Sequence, residues 1–368
     1  MNRIKFLDGF RGLAILMVIL YHAFKRWTTM VPYGDQFADF PLFEKGWLGV
    51  QLFFLISGFV ILMTLEKCYS FKEFIVKRWL RLFPAMFIAT LLIYLTAGFL
   101  PERPGGIPHI TDVIPGLLFV EPVWIGKILR NHQGYLEGAF WSLYVEVKYY
   151  FIFGILYFYL DKIKAIISIF SIFLVGMTIK ILVEEMGIKA LVPVNVITHQ
   201  ISFIHFGWFA CGSLMYIYYK EKRNIFLSYA VAIGIISSVS SLFLTFGRTP
   251  AVFLWALIIL AIFVATVYSD KLKELFDNRA LVYMGFVSYP LYLIHESSMI
   301  ALIIKMNKYF PAIPGLLLPV IPIAFLIGIS HLIAKYGEPP IHKFLKRVAK
   351  LPAHKPATNL SVEEKKPI

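Results

Sequence analysis

Residues 7–22 read "LDGFRGLAILMVILYH": an acid and an arginine, then ten residues almost without a polar atom, then a histidine. The apolar run has the character of a membrane-crossing helix. Arg11 and His22 are eleven positions apart, three helical turns plus about 20°, so they share one face with roughly 16.5 Å of rise between them. A helix of this kind carries a cation at one mouth and a titratable base at depth. Ionisable groups within a bilayer are costly, something like 2.5–3.5 kcal/mol on insertion scales, and so mark function by default. The plainer alternative is that Arg11 anchors the helix at the interface and His22 sits near the opposite headgroups.

The rest of the chain repeats this character. Of its 368 residues 59% are hydrophobic and 16% charged, against roughly 45–50% apolar in soluble domains. Apolar runs long enough to span about 30 Å of hydrocarbon recur near 10–27, 47–65, 82–100, 139–160, 164–183, 199–218, 226–246, 250–268, 284–304 and 314–335. The expected fold is an all-α integral membrane bundle of about ten transmembrane helices. It forms one domain over 1–345, followed by a polar, disordered cytoplasmic tail over 346–368. The first run is no cleaved signal peptide, because "HAFKRWTTM" follows it without a small-x-small site. Lysine and arginine concentrate on alternate connections, those sharing a side with the N-terminus, which places both termini in the cytoplasm. The net charge of +14 is explained by that bias and calls for no nucleic-acid partner.

Cys68 and Cys211 stand alone, without metal-ligand spacing, and no metal is expected. The stretch "PERPGGIPHITDVIPG" (101–116) opens the longest connection on the side opposite the termini. "VIPGLLFVEPVWIG" within it is too short and proline-broken to span, and reads as re-entrant or interfacial.

Other stretches carry polar groups into the bundle. "GWLGVQLFFLISGFVI" (46–61) brings Ser57 and Gly58 to the middle of the second run, permitting close backbone approach. "KEFIVKRWLRLFP" presents Lys77, Arg78 and Arg81, with Arg78 and Arg81 on one face and Pro84 near the helix start. This is either a positive-inside stripe or a phosphate-binding pair, since spaced guanidinium groups suit phosphates bidentately. "FWSLYVEVKYYF" puts Trp141 at the interface and Glu146 and Lys148 in hydrocarbon. Glu146 either pairs with Lys148 or, at the depth of His22, orients the imidazole as a general base requires. "GFVSYPLYLIHE" (285–296) holds His295, and "YGEPPIHKFL" (336–345) ends the tenth run with a double proline that stops the helix. His199 and His205 lie in the sixth run; all three histidines also suit ordinary hydrogen-bonded core roles.

In this order these stretches resemble the acyltransferase-3 family of ten-helix membrane acyltransferases, which includes bacterial O-antigen and exopolysaccharide O-acetylases. The resemblance implies acyl-CoA, most often acetyl-CoA, as a cytosolic co-substrate rather than a resident cofactor. It implies as acceptor a hydroxyl of a lipid-linked or surface glycan, and a multi-pass protein of the inner (plasma) membrane. By the same resemblance Arg11 and His22 match the family's Arg-x10-His motif, Arg78 and Arg81 its basic cluster, and Glu146 the carboxylate of its "WSLxVE" stretch. His22 and Glu146 are then the catalytic candidates, and Arg11, Arg78 and Arg81 the acyl-CoA binders. Asp8, Ser57, Gly58, Trp141, Lys148 and His295 are further pocket candidates. Gln51 stands where many relatives have an acid, and Lys148 where glutamine is common. Only a short tail follows the tenth run, so no soluble esterase-like domain of the kind some members carry is expected there. Against this stands a transporter or flippase of glycan or lipid substrates, because intramembrane charges and broken helices also line substrate paths.

Overall fold

A computed structural model describes residues 4–130, 134–243 and 249–349. Helices account for the regular structure throughout these residues, and no strand occurs among them. The long ones are α1 (Lys5–Tyr21), α2 (Gly49–Leu65), α3 (Phe71–Thr96), α4 (Trp141–Tyr159) and α5 (Lys162–Glu184). There follow α6 (Val192–Ile201), α7 (Phe206–Glu221), α8 (Asn224–Ser240), α9 (Pro250–Tyr268), α10 (Arg279–Tyr309), α11 (Val320–Leu332) and α12 (Glu338–Val348). Among the described residues 9 helices are long and apolar enough to cross a membrane, or 10 if the pair α6 and α7, bent by 56°, counts as one. Large apolar side chains such as Leu95, Leu254 and Phe325 are exposed on the outside of the bundle. In water that surface would be a liability; in lipid it is solvation. The protein is a multi-pass membrane protein.

Several helices begin earlier than hydropathy suggests, and their caps show why. Ser70 accepts the Glu73 N–H at 3.2 Å while the Glu73 carboxylate accepts the Tyr69 N–H at 2.8 Å, close to the pattern of a capping box. Consequently α3 starts eleven residues before its apolar run, Arg78 and Arg81 lie inside the helix, and Pro84 sits within it rather than near its start. In the same way the Asn278 side chain caps α10 at the Leu281 N–H, giving a 31-residue helix. The double proline behaves differently from expectation. After α11 the chain makes a π turn over Ile333–Gly337, and Pro339 and Pro340 occupy the first turn of a new helix, α12. Proline is tolerated there because first-turn N–H groups have no intrahelical acceptor. The domain edge expected at 345/346 therefore falls inside α12, and the tail beyond 349 lies outside the described residues.

The broken sixth span has a local cause. Ser202 between α6 and α7 adopts φ 69°, left-handed, and its hydroxyl accepts from Lys148 Nζ at 2.9 Å. On the same end of the bundle the connection before α4 folds into two short helices, Val113–Leu118 and Pro122–Leu129, neither long enough to span.

At the centre α1 packs along α10. Gly12 and Gly285 set their approach: a Cβ on Gly12 would overlap the Leu281 carbonyl, and one on Gly285 the Asp8 carbonyl. Only hydrogen at those Cα atoms lets the two backbones meet, the way small residues bring helices together where hydrophobic force is weak. Gly285→Val is expected to force the pair apart at a cost of about 1–3 kcal/mol or more, as overpacking does. Thermal unfolding of the purified variant in detergent should show a lowered midpoint; an unchanged midpoint would mean that this contact does not set the approach.

Candidate active site

The α1–α10 seam carries His22 and His295 to one place. Past Tyr21 the α-helix widens into a π turn over His22–Arg26, a distortion often found at functional positions. His22 Nδ1 lies 2.9 Å from the Val18 carbonyl and 3.2 Å from His295 Nε2, with the rings edge to face. The proton positions follow from the partners. His295 Nδ1 is 2.9 Å from the Tyr292 carbonyl, which can only accept, so Nδ1 bears hydrogen and Nε2 is the acceptor. His22 Nδ1 then donates toward Val18 and His295, leaving the lone pair of the neutral ring on Nε2. That atom faces Glu296 Oε1 at 3.5 Å. The indole of Trp27 donates to the same oxygen at 3.2 Å, and Arg26 lies over the Trp27 ring. A proton taken up at Nε2 therefore meets a carboxylate already held in position, while the Val18 carbonyl and His295 orient the ring through Nδ1.

A second carboxylate stands behind the first. Glu137, buried at the start of the turn leading into α4, accepts the Ser297 N–H at 2.6 Å and lies 3.7 Å from Arg103. Burial, then the charge of Glu296, hold the Glu137 carboxyl well above the usual range, at about 8, against the pull of Arg103. Two buried carboxyls this close resist ionising together.

The basic residues gather elsewhere along the same seam. Arg11, Arg78 and Arg81 line a narrow chamber of about 80 Å³ together with Ser57, Glu146 and Tyr292. Arg11 is held by Asp8 at 2.9 Å. Arg78 reaches the Tyr150 hydroxyl at 2.8 Å and stacks over that ring. Glu146 accepts from Ser57 Oγ at 2.9 Å and from Tyr150, and lies 3.5 Å from Arg78. The expected partnerships of Glu146 are thus both replaced: it pairs with neither His22 nor Lys148 but with the arginine chamber, because its face of α4 turns toward α3. Lys148, two residues on, turns the other way and binds Glu121 at 2.9 Å, the Gln200 carbonyl at 2.7 Å and Ser202. Gly58 faces α7, where a Cβ would overlap the Phe209 carbonyl, so its part is helix packing.

His22 and Glu296 border a larger chamber, about 450 Å³. Tyr292 lines both it and the arginine chamber. Its hydroxyl, 2.7 Å from Ser142 Oγ and 3.0 Å from the Ala139 carbonyl, makes it the partition between them. Trp141 borders the histidine chamber too, whereas His199 and His205 line a separate cavity. Glu296, Glu137 and Tyr292 were not singled out from sequence; Glu296 was visible beside His295 in "YLIHE", but nothing in the sequence joined it to His22.

A family model described as an acyltransferase domain, that of the acyltransferase-3 family, matches residues 4–334. The chain belongs to the acyltransferase-3 family. Curated relatives agree. "Putative O-acetyltransferase SACOL0978" of Staphylococcus aureus strain COL is 31% identical over 168 residues, covering 42% of this chain and 25% of the relative. "O-acetyltransferase OatA" of S. aureus NCTC 8325 / PS 47 is 27% identical over 215 residues, covering 55% of this chain and 31% of the relative. "Putative acetyltransferase ORF330" of Acidianus two-tailed virus is 26% identical over 301 residues and covers 77% of this chain and 80% of the relative. The matches to the staphylococcal proteins thus span only about a quarter to a third of their length. No solved structure matches.

The raised Glu137 carboxyl has a consequence for stability. Between the ordinary carboxylate value and about 8, the folded protein keeps a proton that the unfolded chain has released, so folding stability falls as pH rises through that window. Glu137→Gln should flatten the decline in thermal midpoint between pH 5 and 8. Parallel curves for wild type and variant would show that Glu137 ionises normally.

Proposed function

We propose that this acyltransferase moves an acetyl group from cytosolic acetyl-CoA to a hydroxyl of a cell-surface or lipid-linked glycan, with both termini in the cytoplasm. One observation carries the proposal: His22 Nε2 lies 3.5 Å from Glu296 in a chamber that shares Tyr292 with the one lined by three arginines. Membership of the family and the O-acetyltransferase names of the relatives support the same reading.

In this reading the nucleotide phosphates of the donor bind Arg78 and Arg81, with Arg11 at the chamber's inner wall, where guanidinium forks suit phosphate oxygens. The narrow pantetheine arm passes Tyr292 and brings the thioester beside His22. His22 Nε2 removes the proton of the acceptor hydroxyl, and the resulting imidazolium is stabilised by Glu296. The hydroxyl oxygen attacks the thioester carbonyl carbon, the C–S bond breaks, and the departing thiolate takes the proton back from His22. An ester and free coenzyme A leave, and the imidazole is neutral again. Glu146 holds Arg78 in the donor chamber and does not touch the reacting atoms.

The test is transfer of label from radioactive acetyl-CoA to a glycan by the purified protein. His22→Ala should lower transfer at least 100-fold, within the range by which general bases act, while the variant still inserts into membrane. Wild-type rates in that variant would refute the assignment. Substrate movement across vesicles without consumption of acetyl-CoA would instead identify a transporter.

A further inference from the structure

A cavity of about 980 Å³, more than twice the volume of the histidine chamber, does not contain His22. It opens at the same end of the bundle, between the short helix Pro122–Leu129, the start of α4, the end of α5 and the bent α6–α7 pair. We propose that this cavity is the acceptor site and that it binds a saccharide of two or more rings. The inference rests on the acetyl-transfer reading for its role, but not for its chemistry.

Its walls combine aromatic faces, Trp124, Tyr135 and Trp141, with side-chain amides and carboxylates, notably Asn195 and Glu184. A pyranose ring offers apolar C–H faces that stack on aromatic planes and a rim of hydroxyls that both donate and accept. Side-chain amides such as that of Asn195 can satisfy that rim, whereas a lipid chain offers them no hydrogen bond. A polyanion fits no better. The two lysines nearest the cavity are already neutralised, Lys148 by Glu121 at 2.9 Å and Lys180 by Glu184 at 2.6 Å. The volume lies at the upper end of the range for small-molecule sites, about 300–1,000 Å³, which suits more than one ring.

Two further features point to a ligand. His205 lines the cavity, is only 7% exposed, and its Nδ1 has no hydrogen-bond partner. A buried polar atom without a partner in a cavity wall calls for one from outside the chain. Trp141, whose ring lies 5.3 Å from that of His205, borders the histidine chamber as well. Trp141 is thus a wall common to the proposed sugar site and the chamber where His22 and Glu296 meet.

Saccharide binding is measured on the full chain in lipid nanodiscs without any acyl donor, by saturation-transfer NMR. The probes are the N-acetylglucosamine trisaccharide and mannotriose. Wild type should bind at least one; Trp124→Ala and the milder Asn195→Ala should weaken it at least tenfold. Tighter binding of the same trisaccharide on a polyprenyl diphosphate would indicate a lipid carrier and equal binding a polymer; both keep the sugar in this cavity. Equal affinity in wild type and cavity variants, or no binding of either probe by protein that still consumes acetyl-CoA, overturns the assignment and leaves the transfer reading intact. Cavity-dependent binding by protein that never consumes acetyl-CoA does the reverse.

Discussion

Everything at the centre of this protein depends on how closely α1 and α10 approach. Hydrocarbon offers little force to press helices together, so the contact must come from shape and from polar groups that need each other. Gly12 and Gly285 supply the shape, letting backbone carbonyls of one helix seat against bare Cα atoms of the other. Three turns further along α1, the same approach brings His22 within hydrogen-bond distance of His295 and faces it to Glu296. Move the helices apart by the width of a methyl group and His22 loses both His295 and Glu296, keeping only the Val18 carbonyl of its own helix, a costly loss for polar groups in the bilayer.

The seam also orders the polar groups along its length. At one end the cations are packed among acceptors: Arg11 with Asp8, Arg78 with Tyr150 and Glu146. At the other end Glu296 stands with Glu137 behind it, in a chamber that Lys25, Arg26 and Lys45 also line. Tyr292 stands between, fixed by Ser142 and the Ala139 carbonyl. In the proposed reading the donor's anionic head meets the cationic end and its arm runs along this seam toward His22.

Much of this was legible in the sequence because it is local. The spans follow from hydropathy, and the shared face of Arg11 and His22 follows from helical geometry within one element. What was not legible depends on helices distant in the chain. Glu146 shares α4 with Lys148, yet packing sends one carboxylate to Arg78 and the neighbouring ammonium to Glu121; no periodicity within α4 chooses between those partners. Glu296 was hidden for the same reason, because its tie to His22 spans more than 270 residues and is set by the Gly12 and Gly285 contacts. The double proline misled through position: Pro339 and Pro340 stop a helix in its interior but open one in its first turn. The early starts of α3 and α10 were available in principle, from Ser70 with Glu73 and from Asn278, where capping residues precede polar turns that a hydropathy window discards.

The central claim is that one corridor joins the arginine chamber to His22. A structure of the protein with a non-hydrolysable acetyl-CoA analogue tests it most directly. The account predicts phosphates against Arg78 and Arg81, the pantetheine arm past Tyr292, and the carbonyl carbon within about 4 Å of His22 Nε2, near-attack range for a base-activated hydroxyl. An analogue bound with its acyl group outside the histidine chamber, or entering from the Trp141 side, would contradict it.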